Sequence, residues 1–105
     1  MKINNRISAK QAYTAMMRNP NCIILDVRSR AEYMARHIPG ATHLPDYDIK
    51  YSAAEVLPNC EALILVYCQS GGRSRGAAGL LTSMGYTNVY DFGGINSWPY
   101  ETVRN

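Results

Sequence analysis

What most constrains this chain is an apolar run that ends in a cysteine and gives way almost at once to a helix. Leu63-Ile64-Leu65-Val66 leads through Tyr67 to Cys68, and an alanine-rich stretch, Arg73-Ser74-Arg75-Gly76-Ala77-Ala78, begins about six residues later. The run has the length and branched content of a strand buried on both faces, so Cys68 is expected at a strand's carboxyl end. Gln69, Ser70, Gly71 and Gly72 must then turn the chain into a helix starting near Arg73 or Ser74. Glycines accept positive φ, which lets successive N–H groups point into one cup. The cup opens onto a helix N-terminus, where unpaired N–H groups and the dipole favour an anion by up to ~2 kcal/mol. That anion is expected to be the Cys68 thiolate or a group attached to it, with Arg73 and Arg75 pushing the same way. The bland alternative is a small buried hydrophobe; the strand end, the glycines and the flanking arginines weigh against it.

The remaining elements follow from periodicity and punctuation. Ile3 begins a short opening strand. Ser8 and Gln11 form a capping box ahead of Ala9, Ala12, Tyr13 and Met16, and this helix ends near Arg18, before Asn19 and Pro20. Its Tyr and Met stripe is read as core. Cys22-Ile23-Ile24-Leu25-Asp26-Val27 is a second central strand, and Asp26 at its end must be paired or hydrogen-bonded. The carboxylate is expected to tie down neighbouring loop N–H groups, or to form part of the wall of a site. Ser29 and Glu32 make a second capping box; Arg28 and Glu32, four apart, are expected to pair across this helix start. Pro39-Gly40 turns the chain into a short strand from Ala41 to Leu44. Ile49, Ala53, Val56 and Leu57 give one or two helical turns that Pro58 ends. After the Cys68 loop, Ala77, Ala78, Leu80, Leu81 and Met84 form an apolar face, with Gly85 and Tyr86 as a C-terminal cap. Asn88 to Phe92 is the last strand, and Trp98 is expected to pack on the sheet. Strands near residues 3, 23, 42, 64 and 89 alternate with helices. The order predicts an α/β domain of three layers, a central, mainly parallel five-stranded sheet with helices on both faces.

At 105 residues the chain is read as one domain, 1–105. Its 47% hydrophobic and 18% charged residues are those of a folded chain. A net charge of +3, with scattered basic residues, gives no stripe for nucleic acid but suits a small anionic substrate. Cys22, Cys60 and Cys68 are too widely spaced, and too odd in number, for a disulfide framework. With His37 and His43 they also lack metal-ligand spacing, so no metal site is expected. The opening residues carry no apolar leader core and no run is long enough to span a membrane. A cytoplasmic chain with no membrane partner is the expectation.

Cys68-Gln69-Ser70-Gly71-Gly72-Arg73-Ser74 resembles the Cys-x-x-Gly-x-Arg-Ser loop of single-domain rhodaneses. The segment LDVRSRAEY, from Leu25, with HIPGA, from His37, is similar to that family's other signature, and Gly93-Gly94-Ile95-Asn96-Ser97-Trp98 to its closing Gly-Gly-x-x-x-Trp. The motifs occur in the family's order and together cover nearly the whole chain. One position departs: Arg36 stands where the family pattern has glycine, at the expected rim of the pocket. The resemblance implies a rhodanese-like fold and a sulfurtransferase without a cofactor. In that scheme Cys68 takes the outer sulfur of an anionic donor such as thiosulfate as a persulfide. It then passes the sulfur to cyanide or a thiol acceptor, a small redox thiol or a protein. The loop Gln69 to Ser74 would bind donor and persulfide, Arg73 steering the anion, with Asp26, Arg28 and Arg75 in support. His37 is assigned to holding the Pro39-Gly40 turn, because sulfur transfer needs little proton help from a low-pKa thiol. Cys60, and less so Cys22, is a candidate resolving thiol.

Two other functions compete. Phosphatases and arsenate reductases of related fold also set a cysteine and an arginine around an oxyanion, but with five residues between them. Here there are four, Gln69 to Gly72, which makes a tighter cup suited to one sulfur atom. A non-enzymatic rhodanese-like binding or sulfur-relay module is the other, although such modules commonly lack the cysteine.

Overall fold

The computed structural model describes residues 5–104. Four parallel strands form the sheet: β1 (Ile23–Asp26), β2 (Thr42–His43), β3 (Ile64–Cys68) and β4 (Val89–Gly94), in the order β2-β1-β3-β4. Helix α1 (Ala9–Arg18) precedes β1; α2 (Arg30–Ala35), α3 (Ile49–Val56) and α4 (Gly72–Ser83) connect the strands, with 3-10 turns at Asp46–Asp48 before α3 and Ile95–Ser97 after β4.

The β3 side chains show why that run is apolar throughout. Ile64, Val66 and Cys68 face Leu25, Ile49, Ala53, Leu57, Ala77 and Leu81, the side covered by α3 and α4. Leu65 and Tyr67 face Ala12, Ile38, Phe92, Ile95 and Trp98, the side covered by α1 and the C-terminal segment. Strand alternation thus sends every β3 residue into one of two cores, and all five are buried. The three layers match expectation, and Trp98 packs on the sheet as expected.

The strand count is four among the described residues, not five. Arg6 makes a single parallel bridge with Asp91, and Ser8 already caps α1, which leaves no length for pairing. The strand expected near Ile3 lies outside the described residues. The α1 stripe is also less buried than expected. Met16 packs on the core, but Tyr13 is 39% exposed, because Ala12 alone points fully inward and the Tyr13 ring lies flat on Tyr100, 4.1 Å away.

Both capping boxes form. Ser8 Oγ accepts from the Gln11 N–H at 3.0 Å while Gln11 Oε1 accepts from the Ser8 N–H at 2.8 Å, and Ser29 with Glu32 repeats the exchange. α4 ends in the paired reverse bonds of a glycine cap: Gly85 (φ 104°) donates to Thr82 O and Tyr86 to Leu81 O, each at 3.1 Å. The cap delivers Tyr86 into the core, where its hydroxyl donates to Leu57 O at 2.6 Å and approaches Ala53 O at 3.1 Å. The end of α3 is thereby bolted to the end of α4.

The bolt makes Tyr86→Phe informative. It removes no volume from the core but leaves the Leu57 carbonyl without its donor, while Ala53 O keeps the Leu57 N–H. Urea unfolding is expected to show a loss of about 1–3 kcal/mol with an unchanged denaturant slope.

Candidate active site

The order β2-β1-β3-β4 reverses between β1 and β3, because the chain leaves β1 in one direction and returns to β3 in the other. In a parallel sheet such a reversal opens a crevice beyond the carboxyl ends of the two strands. Asp26 ends β1 and Cys68 ends β3, so both stand at that crevice.

The Cys68 loop is short and closely backed. Gly71, at φ 109°, precedes α4, and its N–H donates to Cys68 Sγ at 3.0 Å. Ser74, in the first turn of α4, sets its Oγ 3.4 Å from the same sulfur. Behind the loop, a Cβ on Gly94 would fall 2.3 Å from Gln69 O, so only glycine lets β4 approach this near. Register between β3 and β4 shifts between Val66 and Cys68, which brings Gly94 opposite Cys68. Cys68 is 1% exposed, at the floor of the loop.

Three arginines converge around this floor, and each is held by its own carboxylate. Asp26 takes the backbone N–H of Arg28 and its Nε on Oδ1, and Arg28 Nη2 at 2.7 Å and the Tyr67 hydroxyl at 2.6 Å on Oδ2. Asp26 thus ties down the Arg28 N–H, and it does so from a fully buried position. Arg28 reaches on to Gln69 Oε1 and Arg36 O, and Gln69 Nε2 donates to Asn96 Oδ1. Burial opposes the charge of Arg28, but the bonds and charge of Asp26 outweigh it and raise its pKa. Burial also pushes the Tyr67 phenol well above its usual range, with the bond to Asp26 adding to the effect.

The pairing expected between Arg28 and Glu32 does not form. Asp26, two residues away and buried, claims Arg28, and Glu32 instead receives Arg73 bidentately at 2.8 and 2.9 Å. The bonds from Arg73 hold the Glu32 carboxyl down at about 2. Arg73 stays partly exposed at the first turn of α4, and its partner Glu32 lines a surface pocket together with Arg28, Ala35, Arg36 and Gln69. The third pair is Arg6 with Asp91, at 2.6 Å, Arg6 also donating to Gly71 O at 2.9 Å.

The sequence-expected residues therefore divide. Cys68, Gln69, Gly71, Ser74, Asp26 and Arg28 are brought together; Ser70 and Gly72 form the exposed outer edge of the loop. Arg75 is exposed on α4 and makes no hydrogen bond to the loop. Arg36 has an extended backbone at φ −171°, which any side chain accepts, so replacing glycine there adds a cation to the rim without strain. His37 donates and accepts backbone bonds with Val103, and its ring lies on Tyr33, with Nδ1 2.9 Å from Tyr33 O, so its structural role is to join α2 to the C-terminal segment and not to hold the Pro39-Gly40 turn as expected. Cys60 lies before the amino end of β3, whose length of about 13 Å keeps it out of disulfide reach of Cys68. Cys22 is half-buried, and burial pushes its thiol up.

Arg6 and Asp91 are the site residues that sequence reasoning missed. Asp91 carries a signal, a carboxylate inside an apolar strand, like Asp26. Arg6 carries none, because its partner is 85 residues away.

The Arg73–Glu32 pair gives a pH signature. A carboxyl depressed from 4.5 to about 2 contributes stability that is complete above its unfolded value and is lost as the pH falls through its folded one. Urea midpoints of the native protein and Glu32→Gln are expected to differ at pH 6 and to converge between pH 4.5 and 2. A constant difference across that range contradicts the pairing.

A family model described as Rhodanese-like domain matches residues 8–100. Thiosulfate sulfurtransferase GlpE of Pseudomonas entomophila is 38% identical over 106 residues, spanning 94% of this chain and 92% of that protein. Thiosulfate sulfurtransferase PspE of Escherichia coli is 35% identical over 80 residues, spanning 76% and 77%. A solved structure of a rhodanese with anions from E. coli superposes with a TM-score of 0.74 at 31% identity, over 79% of this chain and 98% of that one. Sheet order, the loop after β3 and these matches agree, and the chain belongs to the rhodanese-like domain family.

Proposed function

We propose that this protein is a sulfurtransferase in which Cys68 carries the sulfur. The observation that carries this reading is the seat of Cys68 Sγ, 3.0 Å from the Gly71 N–H and next to the amino end of a 12-residue helix. Such a seat favours negative charge on sulfur. The thiolate attacks the outer sulfur of thiosulfate; a Cys68 S–S bond forms, the donor's S–S bond breaks, and sulfite leaves with the electron pair. Cyanide or an acceptor thiolate then attacks the terminal sulfur of the persulfide and returns Cys68 as thiolate. No proton donor is required on sulfite.

Support for the donor class comes from relatives named thiosulfate sulfurtransferases and from two cations, Arg36 in the pocket beside Gln69 and Arg73 bound to Glu32 at its edge, the pocket that we take as the mouth of the site. Arg73 spends its fork on Glu32, so it steers an anion by its position at the mouth more than by a free guanidinium. The loop holds four residues between Cys68 and Arg73, and that tight cup favours a single sulfur over a tetrahedral phosphate. The acceptor is a small redox thiol, a protein thiol or cyanide. The reaction is set in the cytoplasm, where acceptor thiols stay reduced; the three cysteines are free and no described helix is long and apolar enough to cross a membrane.

Steady-state turnover of thiosulfate with cyanide tests the proposal. Cys68→Ser is expected to fold normally and lose activity by roughly a thousandfold or more. Retention of transfer near the native rate contradicts it. Arg73→Ala is expected to raise KM for thiosulfate and leave KM for a neutral thiol acceptor unchanged; an unmoved thiosulfate KM removes the steering role.

A further inference from the structure

Ser74 is buried against the nucleophile and is surrounded by more acceptors than it can serve. Its hydroxyl carries one proton. Asp91 Oδ1 lies 2.7 Å away, Gly93 O 3.2 Å, Gly71 O 3.3 Å and Cys68 Sγ 3.4 Å. Carbonyl and carboxylate oxygens accept only, so the thiol is the one neighbour that can also donate. The short contact to a carboxylate takes the Ser74 proton. A lone pair of Ser74 Oγ then faces Cys68 and accepts from its S–H. In this setting Ser74 favours the thiol, not the thiolate.

The thiolate needs the opposite setting. Once the thiol proton leaves to solvent, the sulfur has the Gly71 N–H as donor and gains a second only if Ser74 turns its proton from Asp91 to sulfur. Asp91 tolerates that loss because three fixed donors remain on it. Gly93 N–H stays on Oδ1 at 2.9 Å, and Arg6 Nε and Nη2 stay on Oδ2 at 2.9 and 2.6 Å. Arg6 also neutralises the carboxylate, which weakens its hold on the Ser74 proton.

We infer that Ser74 is a two-position proton donor to Cys68, and that Arg6 and Asp91 are positioning residues that set which position it takes. This role rests on Cys68 being the nucleophile. Of the other charged groups around the loop, Arg28 is balanced by Asp26, Arg73 is paired with Glu32 but also interacts with Cys68 through its charge, and Arg36 stands at the rim. Arg6 with Asp91 is the pair that reaches Cys68 through a rotatable proton.

Alkylation of Cys68 by iodoacetamide, followed across pH and located by peptide mass mapping, reads the thiolate without any sulfur donor. It therefore separates this role from the sulfurtransferase reading. Arg6→Gln bares Asp91, and the rate at pH 7 is expected to fall roughly tenfold as the profile moves to higher pH. Asp91→Asn releases the Ser74 proton, and the profile is expected to move to lower pH. In the Asp91→Asn background, adding Arg6→Gln is expected to change the rate several-fold less than it does in the native background, the remainder reflecting the Arg6 bond to Gly71 O. Arg6→Lys, which keeps the charge, is expected to stay near the native profile. Equal effects of Arg6→Gln in both backgrounds overturn the proposal, as does an Asp91→Asn profile that does not move, whatever the stability of the Arg6 variants.

Discussion

A charge taken out of water must be matched, and in this protein that requirement organises the site. Asp26, Arg28 and Asp91 are each almost fully buried. Removing one partner of a buried pair typically costs about 3–5 kcal/mol, which fixes the geometry of what remains. Asp26 holds Arg28, and Arg28 holds Gln69 and Arg36 O, so the end of β1 is tied to the cysteine loop and to the chain after α2. Asp91 holds Arg6 and Ser74, so β4 and the segment before α1 are tied to the same loop from the other side. The loop is clamped between two buried carboxylates. The Gly71 N–H and the α4 terminus then face the sulfur directly.

Backbone geometry supplies the rest. The reversal of strand order between β1 and β3 opens the crevice, and β3 is buried on both faces, so its cysteine can appear only at the end. Gly71 takes the positive φ that points its N–H at sulfur, and Gly94 removes the side chain that would collide with Gln69. The 3-10 turn after Gly94 then returns a backbone bond, Asn96 N–H to Gln69 O at 3.1 Å. Fold and site share the same glycines, which is why the motif that marks the chemistry also marks the turn.

Much of this was legible in the sequence because it is local. Capping boxes at Ser8 and Ser29, the Gly85 cap, the apolar runs at Ile23 and Ile64 and the placement of Cys68 all depend on residues within a few positions of one another. What was not legible joins distant segments. Arg28 looked destined for Glu32 by spacing, but a buried carboxylate two residues back outcompetes a half-exposed one four residues on. The bond between Arg73 and Glu32 spans 41 positions and that between Arg6 and Asp91 spans 85, and neither has a periodic signature. Tyr13 shows a smaller limit, since helical spacing places it on the inner side of α1 without showing that Tyr100 and Trp98 leave its edge in solvent.

The central claim is that sulfur rests covalently on Cys68 between donor and acceptor. Intact mass spectrometry after incubation with thiosulfate, repeated after adding cyanide, tests it most directly. The account predicts a gain of one sulfur atom that maps to the peptide containing Cys68 and is lost to cyanide. A reduced, accessible Cys68 that gains no sulfur, or a sulfur that maps to Cys22 or Cys60, would contradict it.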